Sequence, residues 1–298
     1  MRLLECVPNI SEGRDPEKIG SVAEEITRHK KVRLLNISSD KDHHRSVFTF
    51  VGEPEAVKEA ALSFSLKAID LIDMREHKGE HPRLGAVDVV PFVPIHGVEM
   101  EEAIRIAREF GKALGRKGIP IFFYEEAALR KERRDLPTIR KGEYEGLPEK
   151  LRDPAWEPDE GPREFNPKSG ATVVGARFPL IAYNVNLKSQ DLNLAKEIAK
   201  KVRFKDGGFP HVRAMGVELK EKGLIQVSMN LTHYRVTNIP KVFDFIEREA
   251  LKNGVEVEGS EIVGLIPLTV LEGIAQHYLK YPEFSTNQVI EQRILEFE

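Results

Sequence analysis

The sequence predicts an α+β fold of two ferredoxin-like βαββαβ subdomains with a ligand cleft between them. Between residues 2 and 94, strand-like and helix-like patterns occur in the order β-α-β-β-α-β, which is the order of a ferredoxin-like unit. The same order returns between residues 180 and 267. Each such unit carries its helices on one face of a sheet, and the seam between two units is a natural ligand site.

Composition narrows the class of protein. The chain has 298 residues, 41% hydrophobic and 31% charged, with a net charge of -3. This length allows a large core, and the balanced charge gives no general nucleic-acid footprint. Cys6 is the single cysteine, which excludes an internal disulfide and a multi-cysteine metal site. No apolar run approaches a membrane span, and Glu5 comes too early for a signal peptide. We therefore expect a cytoplasmic protein without membrane or nucleic-acid partners.

The first half begins with clear helix and strand signals. Asp15 is placed to cap a helix that has Pro16 at its first position, and Pro54 opens a second helix in the same way. The last strand of the repeat is apolar without interruption, which predicts that both of its faces are covered. The predicted strands cover residues 2–7, 32–37, 46–51 and 86–94, with a polar loop over 38–44, and the predicted helices cover 16–30 and 54–72.

The middle of the chain leaves the repeat. A helix over 101–114, closed by Gly115 and Gly118, leads to a strand over 119–124. From 136 to 170 the periodicity disappears and prolines recur, yet the segment holds Tyr144, Trp156 and Phe165. Aromatic residues are unusual in a disordered linker, so we expect an ordered connecting segment that packs over other elements.

The second half repeats the pattern, so we expect subdomains over 1–178 and 179–298. A four-residue turn that ends on Gly223 joins its two middle strands as a hairpin. The predicted strands cover residues 180–187, 214–219, 224–231 and 261–267, and the predicted helices cover 192–202, 240–251 and 268–279.

Residues 77–81 read His-Lys-Gly-Glu-His, which on a helix would present two zinc ligands and a glutamate base. A zinc hydrolase that uses His77, Glu80 and His81 is therefore one alternative. Gly79 lies inside this pentad, and Pro82 biases His81 away from helical geometry. The helix is expected to end before the second ligand can align, so no metal is expected.

His81 is the candidate catalytic residue, a general acid/base on a stiff turn before Pro82. Imidazole exchanges protons near neutral pH. Arg83 is placed to hold a substrate carboxylate, and Asp40 and Arg45 flank the turn between the second and third strands, where they can bind a polar substrate. The alternatives are a surface histidine beside an arginine and a charged hairpin without a function.

A second candidate site follows in the proline-rich segment. Its glycines, prolines, aromatic ring and cations suit a clamp for a flat, partly anionic ligand. The residues are Gly161, Pro162, Arg163, Glu164, Phe165, Asn166, Pro167, Lys168, Ser169 and Gly170.

Four blocks carry a resemblance to a known family. They are residues 6–13 (Cys-Val-Pro-Asn-Ile-Ser-Glu-Gly), 77–88 (His-Lys-Gly-Glu-His-Pro-Arg-Leu-Gly-Ala-Val-Asp), 142–151 and 161–172. In them the chain resembles the glutamate formimidoyltransferases over nearly its whole length. The resemblance implies two α/β subdomains with a folate tunnel, and tetrahydrofolate as co-substrate. It implies transfer of the formimino group of N-formimino-L-glutamate to N5 of tetrahydrofolate, in histidine degradation and one-carbon metabolism.

The resemblance also implies roles for residues. The family's catalytic histidine falls on His81 in its Glu-His-Pro-Arg context, and its folate-binding segment falls on 161–170, where Arg163 and Lys168 are candidates to meet the folate tail. Asp40 is the candidate for the family's acidic residue, and Arg45 or Arg83 for the ligand of the glutamate carboxylates. A homodimer is expected. Formyl transfer from 5-formyltetrahydrofolate and folate binding without turnover remain as alternatives.

Overall fold

The computed structural model describes residues 2–295, and the chain divides into two compact units between Arg177 and Phe178. This division lies next to the expected boundary after residue 178. Among the described residues, no helix is both long and apolar enough to cross a membrane.

The first unit follows the predicted β-α-β-β-α-β order and then adds further elements. Its strands are β1 (Leu3–Cys6), β2 (Asn9–Ile10), β3 (Val32–Asp40), β4 (Arg45–Gly52), β5 (Val87–His96), β6 (Ile121–Glu125) and β7 (Thr172–Ala176). Its helices are α1 (Pro16–Thr27), α2 (Pro54–Leu71), α3 (Met100–Gly115), α4 (Leu136–Arg140) and α5 (Leu147–Arg152). The predicted cap of α1 is confirmed, because the Asp15 carboxylate accepts from the backbone N–H groups of Glu17 and Lys18.

These strands form one mixed sheet. Strands β1 and β2 both pair antiparallel with β4 and β5, so they act as a single strand that is interrupted at Val7 and Pro8. With β3 on the far side of β4, the four ferredoxin-like strands lie in the order expected of that fold. Strand β7 then adds parallel to β5, and β6 adds parallel to β7.

The end of β3 and the presence of β7 differ from the prediction. Strand β3 does not stop at Ile37, because Ser38, Ser39 and Asp40 continue the ladder against β4 as far as Arg45. The predicted polar loop is therefore a short turn at the tip of a hairpin. Strand β7 was not predicted, since its five residues are too few to show a period.

The second unit is a smaller copy of the same fold. Its strands are β8 (Ile181–Leu187), β9 (Val212–Leu219), β10 (Leu224–Leu231) and β11 (Val257–Val263), and its helices are α6 (Leu192–Val202), α7 (Ile239–Lys252), α8 (Leu268–Tyr278) and α9 (Ile290–Leu295). The sheet order β11-β8-β10-β9 is ferredoxin-like, as predicted. The last strand was placed too late at 261–267. It ends at Val263, before Gly264 turns the chain with a φ of +84°.

Both faces of the first sheet are covered at strands β5, β6 and β7. Helices α1, α2 and α3 pack against one face, with Phe64 and Phe110 fully buried. The 136–170 segment covers the other face, where Ile139, Leu147 and Leu151 pack against Phe122. The prediction of an ordered, packed segment is confirmed. The segment also places polar side chains, among them Glu143 and Glu145, next to the corner around His81.

Candidate active site

The corner around His81 lies against the turn between β3 and β4. The backbone N–H of Glu80 donates to the carbonyl of Asp42 at 3.2 Å. A Cβ at Gly79 would lie 2.4 Å from the carbonyl oxygen of His43, so only glycine permits this close approach. Helix α2 has already ended at Leu71, and residues 77–81 are not helical. The predicted loss of helical geometry in the pentad is confirmed.

His81 is held as a neutral base. Its Nε2 lies 2.6 Å from Nη1 of Arg45, and a guanidinium can only donate. A neutral imidazole that accepts a hydrogen bond on Nε2 carries its proton on Nδ1. Burial, together with the positive charges of Arg45 and Arg140 and the neighbouring His43 ring, lowers the pKa of His81 to about 3. The ring is therefore unprotonated near neutral pH, with its lone pair directed at Arg45.

This low pKa predicts how stability depends on pH. The unfolded chain binds a proton at His81 below about pH 6.5, whereas the folded chain does not until about pH 3. The contribution of His81 to the free energy of unfolding is therefore fully present above pH 6.5, and it falls as the pH is lowered through that value. Urea unfolding at pH 7 and pH 5 should show a smaller loss in His81→Asn than in the parent chain. His96→Asn, at the exposed end of β5, should lose as much as the parent, and equal losses in all three proteins would contradict the prediction.

His77 is buried and fully engaged with protein groups. Its Nε2 lies 2.9 Å from the His44 carbonyl, and its Nδ1 accepts from Nε of Arg83 at 3.2 Å. Burial lowers the pKa of His77, which agrees with a neutral ring. Both nitrogens are used in positioning the corner, so the zinc reading of the pentad is not favoured.

His44 and Glu12 complete the support below His77. The His44 ring stacks on the His77 ring with centroids 4.3 Å apart. Its Nδ1 faces the Lys78 carbonyl at 3.1 Å and its Nε2 faces a Glu12 carboxylate oxygen at 3.0 Å. Burial would raise the pKa of Glu12, but bonds from the backbone of Arg14 and Asp15 and from His44 lower it overall. The network joins the block at 6–13 to the corner around His81.

Arg83 does not have the arrangement predicted for a substrate ligand. Its Nε donates to His77, its Nη1 to Glu143 at 3.1 Å and to Glu145 at 2.9 Å, and its Nη2 to Glu145 at 2.6 Å. The side chain is also 8% exposed. Since every nitrogen of its guanidinium is bonded to the protein, Arg83 joins the corner to the 136–170 segment, and its contact with a substrate carboxylate stays a prediction.

Asp40 acts on His81 through a neighbour. Its carboxylate accepts from the backbone N–H groups of Asp42 and His43, and it lies 3.0 Å from Nδ1 of His43. The bonds from His43 lower the pKa of Asp40. The His43 ring meets the His81 ring edge-on with centroids 6.2 Å apart. Asp40 therefore orients His43, and His43 is the group that faces His81.

Arg45 and Arg140 form a cationic pair beside His81. Burial and the charge of Arg140 lower the pKa of Arg45. Arg140, at the end of α4, pairs with buried Asp88, which also accepts from the backbone N–H of Leu84 at 2.9 Å. Within residues 2–295 the buried Nε–H of Arg140 has no hydrogen-bond partner. Sequence reasoning missed Arg140, since it lies in a segment without periodicity.

The predicted folate segment ends against this corner. The Ser169 carbonyl accepts from the N–H of Ala86 at 2.8 Å, and Gly170 bridges to Gly85 with a φ of +66°. Two of its members are engaged elsewhere, because Arg163 Nε donates to the Leu151 carbonyl at 2.6 Å and Lys168 Nζ donates to the Asp70 carbonyl at 2.8 Å. Those two cations brace the segment, and their contact with a folate tail stays a prediction.

An open pocket of about 420 Å³ lies next to Arg83, between the corner and the connecting segment. Its lining residues are Lys78, Gly79, Arg83, Gly142, Glu143 and Glu145. A second site, too tightly closed to hold a water molecule, lies next to it and is lined by Ser11, His43, His44, Arg45, His77, His81, Arg83 and Asp88. Together these surfaces offer a neutral base, a pair of cations and a braced loop within one unit.

The sequence of this chain matches one family of known proteins in both of its units. Residues 3–177 match the family described as "Formiminotransferase domain, N-terminal subdomain", and residues 182–296 match "Formiminotransferase domain". The chain is 42% identical to the glutamate formimidoyltransferase of Streptococcus pyogenes serotype M1 over 99% of both chains. It is also 42% identical to the enzyme of that name from Thermoplasma acidophilum, over 99% of this chain and 98% of the other.

A longer relative matches over part of its length. The formimidoyltransferase-cyclodeaminase of Rattus norvegicus is 46% identical over 93% of this chain and 52% of its own length. The two family matches together cover nearly all of the described residues. The resemblance seen in the sequence is confirmed, and this chain belongs to the formiminotransferase domain family.

Proposed function

We propose that this protein is a glutamate formimidoyltransferase, which transfers the formimino group of N-formimino-L-glutamate to N5 of tetrahydrofolate and releases L-glutamate. The observation that carries the proposal is the neutral imidazole of His81, whose lone pair lies beside two guanidinium groups on a non-helical turn. A base among cations suits a proton transfer on an anionic substrate.

The chemistry needs one group that both takes and gives a proton. N5 of tetrahydrofolate attacks the formimino carbon, and a tetrahedral adduct forms. His81 accepts the N5 proton on Nε2 and returns it to the glutamate nitrogen. The carbon–nitrogen bond to glutamate then breaks, which leaves 5-formimidoyltetrahydrofolate and L-glutamate. His81 returns to its neutral form, so protons and bonds balance over the cycle.

Binding roles follow from which groups are free. Arg45 is the arginine of the corner that has no carboxylate partner among the described residues, so we assign it to a glutamate carboxylate. The 161–170 segment is assigned to folate, with backbone groups and Phe165 as its contacts in place of Arg163 and Lys168. Phe165 packs on Tyr144 with ring centroids 5.5 Å apart, which fixes its orientation.

Assembly and location are part of the same proposal. A homodimer in the cytoplasm, acting in histidine degradation, is what membership of this family suggests. Analytical ultracentrifugation of the purified chain tests the dimer, and a single species at the monomer mass would overturn that part alone.

Incubation with tetrahydrofolate and N-formimino-L-glutamate tests the function. We expect stoichiometric 5-formimidoyltetrahydrofolate and L-glutamate, measured by absorbance and mass spectrometry. Parallel reactions that start from 5-formyltetrahydrofolate and glutamate test the formyl alternative. Faster formyl than formimino transfer, or tight folate binding with no product from either donor, would each overturn the proposal.

A further inference from the structure

We propose that in the free enzyme Arg45 blocks Nε2 of His81, the nitrogen that would accept a proton. A carboxylate of the amino-acid substrate then frees this nitrogen by binding the guanidinium and moving it away from His81. The inference rests on the proposed function and adds to it an order of events. The glutamate half of the substrate binds first, and His81 then becomes available to the attacking amine.

The first step of the argument is that the lone pair of His81 is occupied. Nε2 and Nη1 of Arg45 are 2.6 Å apart, which leaves no space for a substrate atom or a water between them. The other ring nitrogen carries the proton of the neutral ring. A neutral imidazole has one acceptor nitrogen, so His81 cannot take a proton from any amine until Arg45 moves.

The second step is that Arg45 lacks a partner of opposite charge. The buried arginines of the same unit are paired: Arg133 lies 2.8 Å from Asp159, and Arg83 lies 2.6 Å from Glu145. Arg45 is partly buried and, in the described part of the chain, has no carboxylate within ion-pair distance. The nearby acids are already engaged, since Asp88 pairs with Arg140 and Asp40 pairs with His43. A desolvated, unpaired cation is costly, so an anion that arrives here gains an unusually strong partner.

The third step identifies the anion as a carboxylate. A guanidinium binds a carboxylate through two parallel N–H donors. Arg45 uses one donor on His81, and the buried Nε–H of Arg140 has no hydrogen-bond partner among residues 2–295. Each carboxylate of a glutamate moiety offers two acceptor oxygens to this pair. The same event removes from His81 the positive charge that suppresses its protonation.

The charged and titratable groups that face His81 determine how much its pKa is expected to change. They are Arg45 on β4, His43 on the β3–β4 turn, Arg140 on α4 and, through Arg140, Asp88 on β5. Of these, a bound carboxylate compensates Arg45 and Arg140. Pairing one cation with an opposite charge moves the pKa of its neighbour by roughly 1 to 3.

The test is nuclear magnetic resonance titration of the full chain, with the His81 ring nitrogens assigned by comparison with His81→Asn. We expect the pKa of His81 to rise by roughly 1 to 3 on saturation with L-glutamate, and sodium chloride at equal ionic strength to have little effect. In Arg45→Gln the pKa should already be raised without ligand, and L-glutamate should add less. Arg28→Gln removes an exposed charge at the C-cap of α1 and should behave as the parent.

Each outcome decides the proposal. An unchanged His81 pKa in the presence of bound L-glutamate overturns it, even if formimino transfer is active. The same holds if Arg45→Gln is folded by circular dichroism and leaves the free pKa where it was. If Arg45→Gln does not fold, Arg45→Lys replaces it, and a glutamate response equal to that of the parent overturns the proposal. A glutamate-dependent rise in the pKa of His81 without formimino transfer supports the proposed role of Arg45 and overturns the proposed reaction instead.

Discussion

Replacing His81 with alanine is expected to lower kcat by about 10²–10⁴-fold, which is the usual contribution of a positioned general acid/base. In the proposed mechanism, the neutral ring beside Arg45 accepts the N5 proton and donates it to the departing nitrogen. Its removal leaves water to do both. The measurement is the initial rate of 5-formimidoyltetrahydrofolate formation at saturating concentrations of both substrates.

His96→Ala is the matched control, since His96 lies at the exposed end of β5 in the same unit. It should retain the parent rate. Turnover of His81→Ala within a few fold of the parent would remove His81 from the mechanism. The reverse pattern, in which binding of tetrahydrofolate is lost but the rate at saturation is kept, would assign His81 to binding.

Arg133→Met is expected to destabilise the first unit by about 3–5 kcal/mol, the range for breaking a buried ion pair from one side. Arg133 and Asp159 both have side chains that are 2% exposed, and they meet at 2.8 Å. Arg133 also donates to the carbonyls of Ala155 and Glu157. Methionine fills much of the volume but leaves the Asp159 charge buried without its partner. Urea unfolding monitored through Trp156, the single tryptophan, reports on this region directly.

The neighbouring residue supplies the control. Arg134 is 53% exposed and pairs with Glu126 at the surface, and such pairs contribute about 0–1 kcal/mol. Arg134→Met should therefore unfold at nearly the same urea concentration as the parent. If both variants unfold at the same urea concentration, the buried pair does not anchor the connecting segment.

Strong local signals explain why much of the fold was predictable. Asp15 followed by Pro16 determines where α1 begins, and Pro54 does the same for α2, because the cap and the first turn are local interactions. Strand β7 was not predictable, since it depends on pairing with β5 and β6, which are distant in sequence. The end of β3 was misplaced because its polar residues 38–40 carry no strand signal of their own, although they pair with residues 45–47 across a short turn. The end of β11 depends on Gly264, which turns the chain after Val263.

For the site, the sequence by itself determined that His81 lies on a rigid, non-helical turn and that the chain resembles the formimidoyltransferases. Gly79 loosens its own backbone and Pro82 restricts the backbone of His81 before it, so both effects are readable from the order of residues. Only the tertiary structure decided which arginine is free. Arg83 stands beside His81 in sequence but is bonded to Glu145, whereas Arg45 and Arg140 reach the ring from other elements. The charge on a side chain is local, but the partner that neutralises it is chosen by the fold.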